Sequence, residues 1–430
     1  MIRAKAQASR RWLATNPQIP QTLFALLIKI VGAVVSFGLS LFIARTFGPT
    51  GAGAFGLMVT TLLLASTICL VGLDFVLIRT IAGDLKQGAR GLARNSVIAA
   101  ARLTGINALV MVLLLTVVVL PLMATFIGEP AVVALRVTTW GVVPLLAIRI
   151  VSAVLRGSGR VLLGQLLDGP ISTGLTVAAF AAWAVWGTPA VSDIAQIYLG
   201  AIAATAVVGG VVGARDVATW GKAERRPMSP MLAAGWKIAV VVLIGWSIDW
   251  LILVALARFQ STTEVGLFRT TWQIASLFNV LVVAVEAVVG PRVAAAWRSL
   301  DRPAIARMYR QSSVMMALLA SPLLLLCFAA PEWLLHFFGP EFVDAATALR
   351  ILAFAQFVNL VTGPTGTILM MTGHERTALW NASTSLVLAV VLIFAVVPVY
   401  GLIGAALTSA APIIFRNLVS VVMVRRLLRG

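Results

Sequence analysis

Thirteen ionisable side chains of this 430-residue chain fall inside long apolar runs or at their rims, and their types could do chemistry there. The basic ones are Lys29, Arg102, Arg136, Arg149, Arg269, Arg350 and Arg416, with Arg45 and Arg258 at run ends; the acidic ones are Asp74, Asp168, Asp249 and Glu286. A charge at the centre of the hydrocarbon costs about 3 kcal/mol on insertion scales, so each is expected to face protein or a watery cavity. Depth, at about 1.5 Å per helical residue, sorts them. Asp74, Arg102 and Glu286 lie within about two turns of a span end, where snorkelling or loop pairing suffices. Arg136 and Arg350 sit in the first turns of their spans. Lys29, Arg149, Arg269, Arg416, Asp168 and Asp249 are well inside. Pairs such as Asp249 with Lys29, or Asp168 with Arg149, would neutralise some of them. Bases outnumber acids nine to four, however. A cationic excess is what a phosphate or pyrophosphate headgroup needs, because a guanidinium can clamp phosphate through two parallel hydrogen bonds. Lys29, Arg149 and Arg269 are therefore the candidate substrate-binding residues, with Asp168 and Asp249 as charge partners.

Other chemistry finds no support. His336 and His374 stand apart from any cluster of ligands, which argues against a metal site. No Gly-rich loop ends in Gly-Lys-Ser/Thr, so ATP is not the direct energy source. Carboxylate pairs for glycosyl transfer would need a folded aqueous domain, and the longest outer loop has about a dozen residues. The chain reads as a non-enzyme without cofactor. Cys69 and Cys327 each lie in an apolar run and read as buried free thiols.

The elements that must position these charges follow from composition. The chain is 60% hydrophobic and only 11% charged, against about 25% for an average soluble domain. A soluble enzyme is excluded, and continuous apolar runs do not fit the alternating strands of a membrane barrel. Runs occur at about 21–47, 52–78, 95–123, 131–155, 161–186, 191–214, 235–257, 264–290, 311–338, 344–371, 376–397 and 401–424. With about 20 residues per span, the expected fold is an all-α polytopic membrane protein with twelve transmembrane helices. The first run has no small-residue cleavage pattern and reads as a retained span.

The net charge of +18 would suggest nucleic acid in a soluble chain, but Lys and Arg gather in cytoplasmic loops during insertion. With the N-terminus inside, 24 of the 33 basic residues fall on that side, while the outer loops carry Glu129, Asp193, Glu264, Glu332, Glu341 and Asp344. Both termini are thus expected in the cytoplasm.

An internal repeat runs through the chain. Ala44-Arg45, Gly53, Phe55 and Arg79 recur as Ala257-Arg258, Gly266, Phe268 and Arg292 at an offset of 213; Ala134-Leu135-Arg136 and Gly159 recur as Ala348-Leu349-Arg350 and Gly373 at 214. Six spans per half is even, so the halves share one orientation about an axis along the membrane normal. The expected division is a basic cytoplasmic N-terminus (1–20), an N-lobe of spans one to six (21–214), a cytoplasmic linker (215–234), a C-lobe of spans seven to twelve (235–424) and a cytoplasmic tail (425–430). Two pseudo-symmetric six-helix lobes with a cavity between them are the layout of an alternating-access transporter. Breakers punctuate the spans at Pro121, Pro144, Gly169-Pro170, Pro322, Gly363-Pro364 with Gly366, and Pro412. Gly363, Pro364 and Gly366 form the most disruptive cluster, expected to act as a hinge in span ten. Trp12, Trp220, Trp236, Trp297 and Trp333 lie near span ends as interfacial anchors; Trp140, Trp246, Trp250 and Trp272 lie deeper, where packing or stacking on sugar rings are both open.

Three stretches carry a resemblance to a known family. Ala44-Arg45-Thr46-Phe47-Gly48-Pro49 with Gly51-Ala52-Gly53-Ala54-Phe55-Gly56 resembles the span one–two junction of bacterial polysaccharide flippases. Phe338-Gly339-Pro340-Glu341-Phe342 with Ala348-Leu349-Arg350-Ile351-Leu352, and Val397-Pro398-Val399-Tyr400-Gly401-Leu402-Ile403-Gly404-Ala405-Ala406, are similar to later segments of the same family. The chain so resembles the O-antigen and exopolysaccharide translocases of the multidrug/oligosaccharidyl-lipid/polysaccharide exporter (MOP) superfamily. The resemblance implies a MATE-like V-shaped bundle in the bacterial cytoplasmic membrane. It would move polyprenyl-pyrophosphate-linked oligosaccharide from inner to outer leaflet for polysaccharide or lipopolysaccharide biosynthesis. Polymerase and glycosyltransferase machinery are its implied partners. A multidrug antiporter of the same fold, and a membrane-embedded polysaccharide polymerase or ligase, are the alternatives.

The charge asymmetry makes a direct prediction. In a chain whose Cys69 and Cys327 are replaced by Ala, Lys222→Cys should resist a membrane-impermeant maleimide in intact cells and react once the cells are permeabilised. Labelling of intact cells would refute the orientation.

Overall fold

A computed structural model describes residues 18–186 and 190–429. The basic N-terminal segment expected over 1–20, with Trp12, lies outside the described residues up to position 17. Without water in the hydrocarbon, backbone groups must be satisfied within the chain, and the apolar runs accordingly form helices, with no strand among the described residues. In the first half these are α1 (Gln18–Leu70), α2 (Leu73–Lys86), α3 (Arg90–Leu114), α4 (Leu120–Ala124), α5 (Glu129–Gly157), α6 (Val161–Leu167), α7 (Pro170–Trp186) and α8 (Val191–Ala218). The second half has α9 (Ser229–Phe259), α10 (Thr262–Ala275), α11 (Phe278–Arg298), α12 (Arg302–Ala329), α13 (Pro331–His336), α14 (Ala346–Val361), α15 (Thr365–Met371) and α16 (Glu375–Arg429).

Nine helices among the described residues are long and apolar enough to cross a membrane, or ten if the bent pair α6–α7 is one span. α1 and α16 are each two helices merged across a glycine, Gly48 at φ 63° and Gly401 at φ 50°. Dividing them there is consistent with twelve spans. Both breaks are glycines because this left-handed region is costly for any residue with a Cβ. Other interruptions also have local causes. A π turn at Leu115–Val119 precedes Pro121, whose ring and missing N–H disturb the regular ladder. Ser261 and Asp301 cap α10 and α12, accepting from the backbone N–H of Glu264 at 3.2 Å and Ala304 at 2.9 Å. The bundle's outer surface is apolar, as lipid requires: Leu109, Val110, Leu113 and Leu122 in the first half, and Leu318, Leu319 and Leu325 in the second, are exposed.

One buried cluster, with Leu70, Leu73, Leu77, Ile81, Val142 and Val154, fills the first half. A second fills the other half and continues onto Leu57 and Met58 of α1, so the halves share core. Their closest approach joins α1 and α10, related by the 213-residue repeat. A Cβ on Gly53 would overlap the Thr262 carbonyl, and one on Gly266 would overlap the Pro49 carbonyl. Thr50 and Thr263, again 213 apart, share a hydroxyl hydrogen bond of 3.1 Å. At the opposite end Gly72 meets the Gly235 carbonyl, backbone against backbone.

This packing predicts a sharp difference among glycines. Gly266→Val should destabilise the purified protein by about 1–3 kcal/mol through overpacking, read as lower thermal unfolding in detergent. Gly38→Ala, which meets nothing within 4 Å, should not lower it.

Candidate functional site

Depth along the helices decides which charges meet. Arg149 and Arg156 are two turns apart on one face of α5. Asp168, in the break between α6 and α7, pairs with the nearer guanidinium, Arg156, at 2.5 Å. Arg149, further in, faces the first turn of α2 and pairs with Asp74 at 2.9 Å. It also donates to Thr67 Oγ1 at 3.3 Å and Ser66 Oγ at 3.5 Å. The expected Arg149–Asp168 pair is therefore corrected: the sequence shows that both residues lie in hydrocarbon, but their relative height comes from the α6–α7 break. With its carboxylate and hydroxyl partners in place, Arg149 is built into the first half.

Lys29 is exposed on α1 and lines a groove of 250 Å³ with Arg156, Gln165 and Asp168. The structure thus sets it beside the Arg156–Asp168 pair, and the Asp249–Lys29 pairing is not formed. Asp249 on α9 instead lies within Coulombic reach of Arg269 on α10 and Arg416 on α16. Arg269 reaches across the join between the halves: a Cβ on Gly56 of α1 would come within 3.0 Å of its Cγ. Ser40, Phe55, Val59 and Thr270 line a small cavity of 40 Å³ with it. Of the three expected cations, then, Lys29, Arg149 and Arg269 occupy three separate settings.

A polar cavity that the structure adds lies in the second half. Asp249 and Arg416 line 280 Å³ together with Trp246, Trp272, Asn279, Gln356, Asn359, Ser385 and Ser409. Arg416 is exposed within the bundle rather than covered by neighbours. Sequence reasoning counted Arg416 among the intramembrane bases but did not single it out, and it passed over the amides. Their signal was available: Asn279, Gln356 and Asn359 each interrupt an otherwise apolar run, where a polar group is costly without a partner.

The remaining charges stabilise rims and ends. Arg350 pairs with Glu332 at 3.0 Å, and Glu286 accepts from Thr367 Oγ1 at 2.6 Å. The repeat-related Arg45 and Arg258 each reach the opposite half: Arg45 Nε donates to the Phe337 carbonyl at 2.6 Å, and Arg258 lies 5.7 Å over the Phe126 ring. In span ten the helix stops at Val361 and resumes at Thr365, with Gly363 at φ 76° and Pro364 between. Gly363 lies so close to the Ser313 hydroxyl that a Cβ would overlap it. Gly366 falls inside α15 as an ordinary helical residue.

Comparison with known proteins places this architecture. A family model described as polysaccharide biosynthesis protein matches residues 20–297, and the MatE model matches 237–395. Comparison with curated proteins gives no match. Among solved structures, an inward-facing multidrug resistance MATE family transporter of the MOP superfamily aligns with TM-score 0.76 at 15% identity, covering 95% of this chain and 98% of that one. The lipid II flippase MurJ in an inward closed conformation aligns with TM-score 0.75 at 10% identity, covering 94% and 87%. A MOP superfamily transporter from Pyrococcus furiosus aligns with TM-score 0.65 at 15% identity, covering 95% and 94%. The fold is the all-α, multi-pass membrane bundle that these solved structures share. Within it, the chain belongs to the polysaccharide biosynthesis protein family.

The Arg149–Asp74 pair predicts an asymmetric mutational response. Asp74→Ala strands a guanidinium and should cost about 3–5 kcal/mol, whereas removing both charges with Asp74→Leu and Arg149→Met should recover most of that. Thermal unfolding of the purified variants measures both.

Proposed function

We propose that the protein translocates polyprenyl-pyrophosphate-linked oligosaccharide from the inner to the outer leaflet of the bacterial cytoplasmic membrane. The observation that carries this reading is the charge balance where the halves meet: two guanidiniums, Arg269 and Arg416, around one carboxylate, Asp249. The set of three carries one unit of positive charge, with Asp249 and Arg416 lining the second-half cavity and Arg269 the small cavity at the join. A pyrophosphate satisfies it through charge-assisted hydrogen bonds, while an organic cation meets repulsion. The MatE match over the second half is the feature that speaks for a multidrug antiporter instead, and the charge balance weighs against it.

The mechanism is alternating access. Lobes 21–214 and 235–424, joined by the linker 215–234 and with both termini cytoplasmic, rock about the join so that the cationic site opens to each leaflet in turn. The break at Gly363–Pro364 serves as a hinge within the second lobe. The polyprenyl tail stays in lipid throughout, so only the polar headgroup needs an aqueous path. Lys29 sits in the groove near the basic end of the first lobe, where an incoming pyrophosphate makes its first cationic contact. Glycosyltransferases supply this substrate and a polymerase consumes it, in O-antigen or exopolysaccharide biosynthesis.

Each lost charge-assisted hydrogen bond costs about 1.5–3 kcal/mol. Arg269→Ala and Arg416→Ala should therefore each lower polysaccharide export at least about tenfold at normal membrane abundance. Arg102→Ala, exposed on α3 away from the join, should export normally. Full export by both interface variants, or efflux of cationic drugs that depends on Arg269, would reject the reading.

A further inference from the structure

The sequence leaves four deep tryptophans open between packing and sugar stacking, and the structure separates them. Trp140 is 68% exposed on the outer surface of α5, where lipid lies. Trp250 is committed to the join, its Nε1 donating to Thr61 Oγ1 at 2.9 Å. Trp246 and Trp272 face the 280 Å³ cavity of the second half. Beyond Asp249 and Arg416, every polar side chain of that cavity is neutral: Asn279, Gln356, Asn359, Ser385 and Ser409.

These amides are incompletely used. Gln356 is only 3% exposed, yet its one side-chain bond among the described residues is accepting from Asn359 Nδ2 at 3.5 Å. Its own amide N–H groups, the Asn359 side-chain oxygen and both polar atoms of Asn279 have no side-chain bond among the described residues and can serve a guest. Asn279 and Asn359 are half-buried and these amides line the open cavity, so a ligand rich in hydroxyl or amide groups can take up their hydrogen bonds. Neutral donors and acceptors beside aromatic rings suit a sugar, which presents hydroxyls at its edge and C–H groups on its face. A metal cation fits less well, because Arg416 shares the cavity with the one carboxylate. Pockets for drug-sized ligands span about 300–1,000 Å³, so this one admits a single sugar unit rather than a whole oligosaccharide.

We propose that this cavity is a sugar-recognition subsite, in which Asn279, Gln356 and Asn359 read the pyrophosphate-proximal sugar while it stacks on Trp246 or Trp272. The inference rests on the pyrophosphate reading above and adds a separate claim: the second half discriminates the glycan by its first residue. Asp249 and Arg416 mark the edge where the charged and neutral parts of the headgroup meet.

The test uses the purified full-length protein and two probes, a short-chain polyprenyl pyrophosphate and the same molecule bearing one N-acetylhexosamine. The wild type should bind the sugar-bearing probe about tenfold more tightly, as two or so neutral hydrogen bonds allow. Gln356→Leu and Asn279→Ala should each remove most of that preference while changing affinity for the bare probe less than about twofold. Should Gln356→Leu fold poorly, the milder Trp246→Phe and Trp272→Phe variants report instead. The sugar probe should quench wild-type tryptophan fluorescence more than the bare probe does, and one of the two variants should lose that difference. Equal binding of both probes by the wild type, or an undiminished preference in the amide variants, overturns the subsite and leaves the pyrophosphate reading standing. Failure of both probes to bind the wild type overturns the pyrophosphate reading, and the subsite with it. A sodium dependence of binding that the amide variants abolish while sugar preference persists would make the cavity an ion site and also overturn the proposal.

Discussion

A charged side chain in hydrocarbon needs an opposite charge, polar partners or water, and in this protein that requirement organises everything else. Arg149 answers it with Asp74 and two hydroxyls, locking α5 to α2 and the end of α1 inside the first half. Arg156 answers it with Asp168 and so ties α5 to the α6–α7 break. Asp249 answers it with two arginines, one of which extends over Gly56 in the other half. That last arrangement sets two guanidiniums against one carboxylate and reaches across the join, while Lys29 beside the Arg156–Asp168 pair gives a second cationic surplus within the first half.

The same join is built from the repeat. Thr50 with Thr263, and Gly53 with Gly266, are related positions that touch each other, as expected for residues lying on a two-fold axis. Arg45 and Arg258 are related positions that each reach the opposite half. Glycines at the crossing let two helix backbones meet directly, with no side chains to interlock. At the opposite end Gly72 and Gly235 make a second backbone contact between the halves.

Much of the fold could be read from residues alone because lipid imposes a one-dimensional rule. Apolar runs such as 95–123 and 191–214 had to be helices, and the offset of 213–214 pointed to two similarly oriented halves. The break at Gly363–Pro364 followed from a missing backbone donor beside a residue free to take positive φ. Membrane protein, helical class, repeat and family resemblance were all determined at that level.

Pairing was decided by tertiary structure. Asp168 and Arg149 are both deep, but which carboxylate meets which guanidinium depends on azimuth and on height after each kink, and a list of spans contains neither. For the same reason Lys29, Arg149 and Arg269, equivalent as intramembrane cations, went to a groove, a closed ion pair and the join. Arg416 gained its importance only when α16 brought it beside Asp249. Asn279, Gln356 and Asn359, spread across 81 positions, became one wall because α11 and α14 border the same cavity. The hydrophobic effect and backbone satisfaction act along the chain and are legible in it; Coulombic and hydrogen-bond partners are chosen across space, by packing.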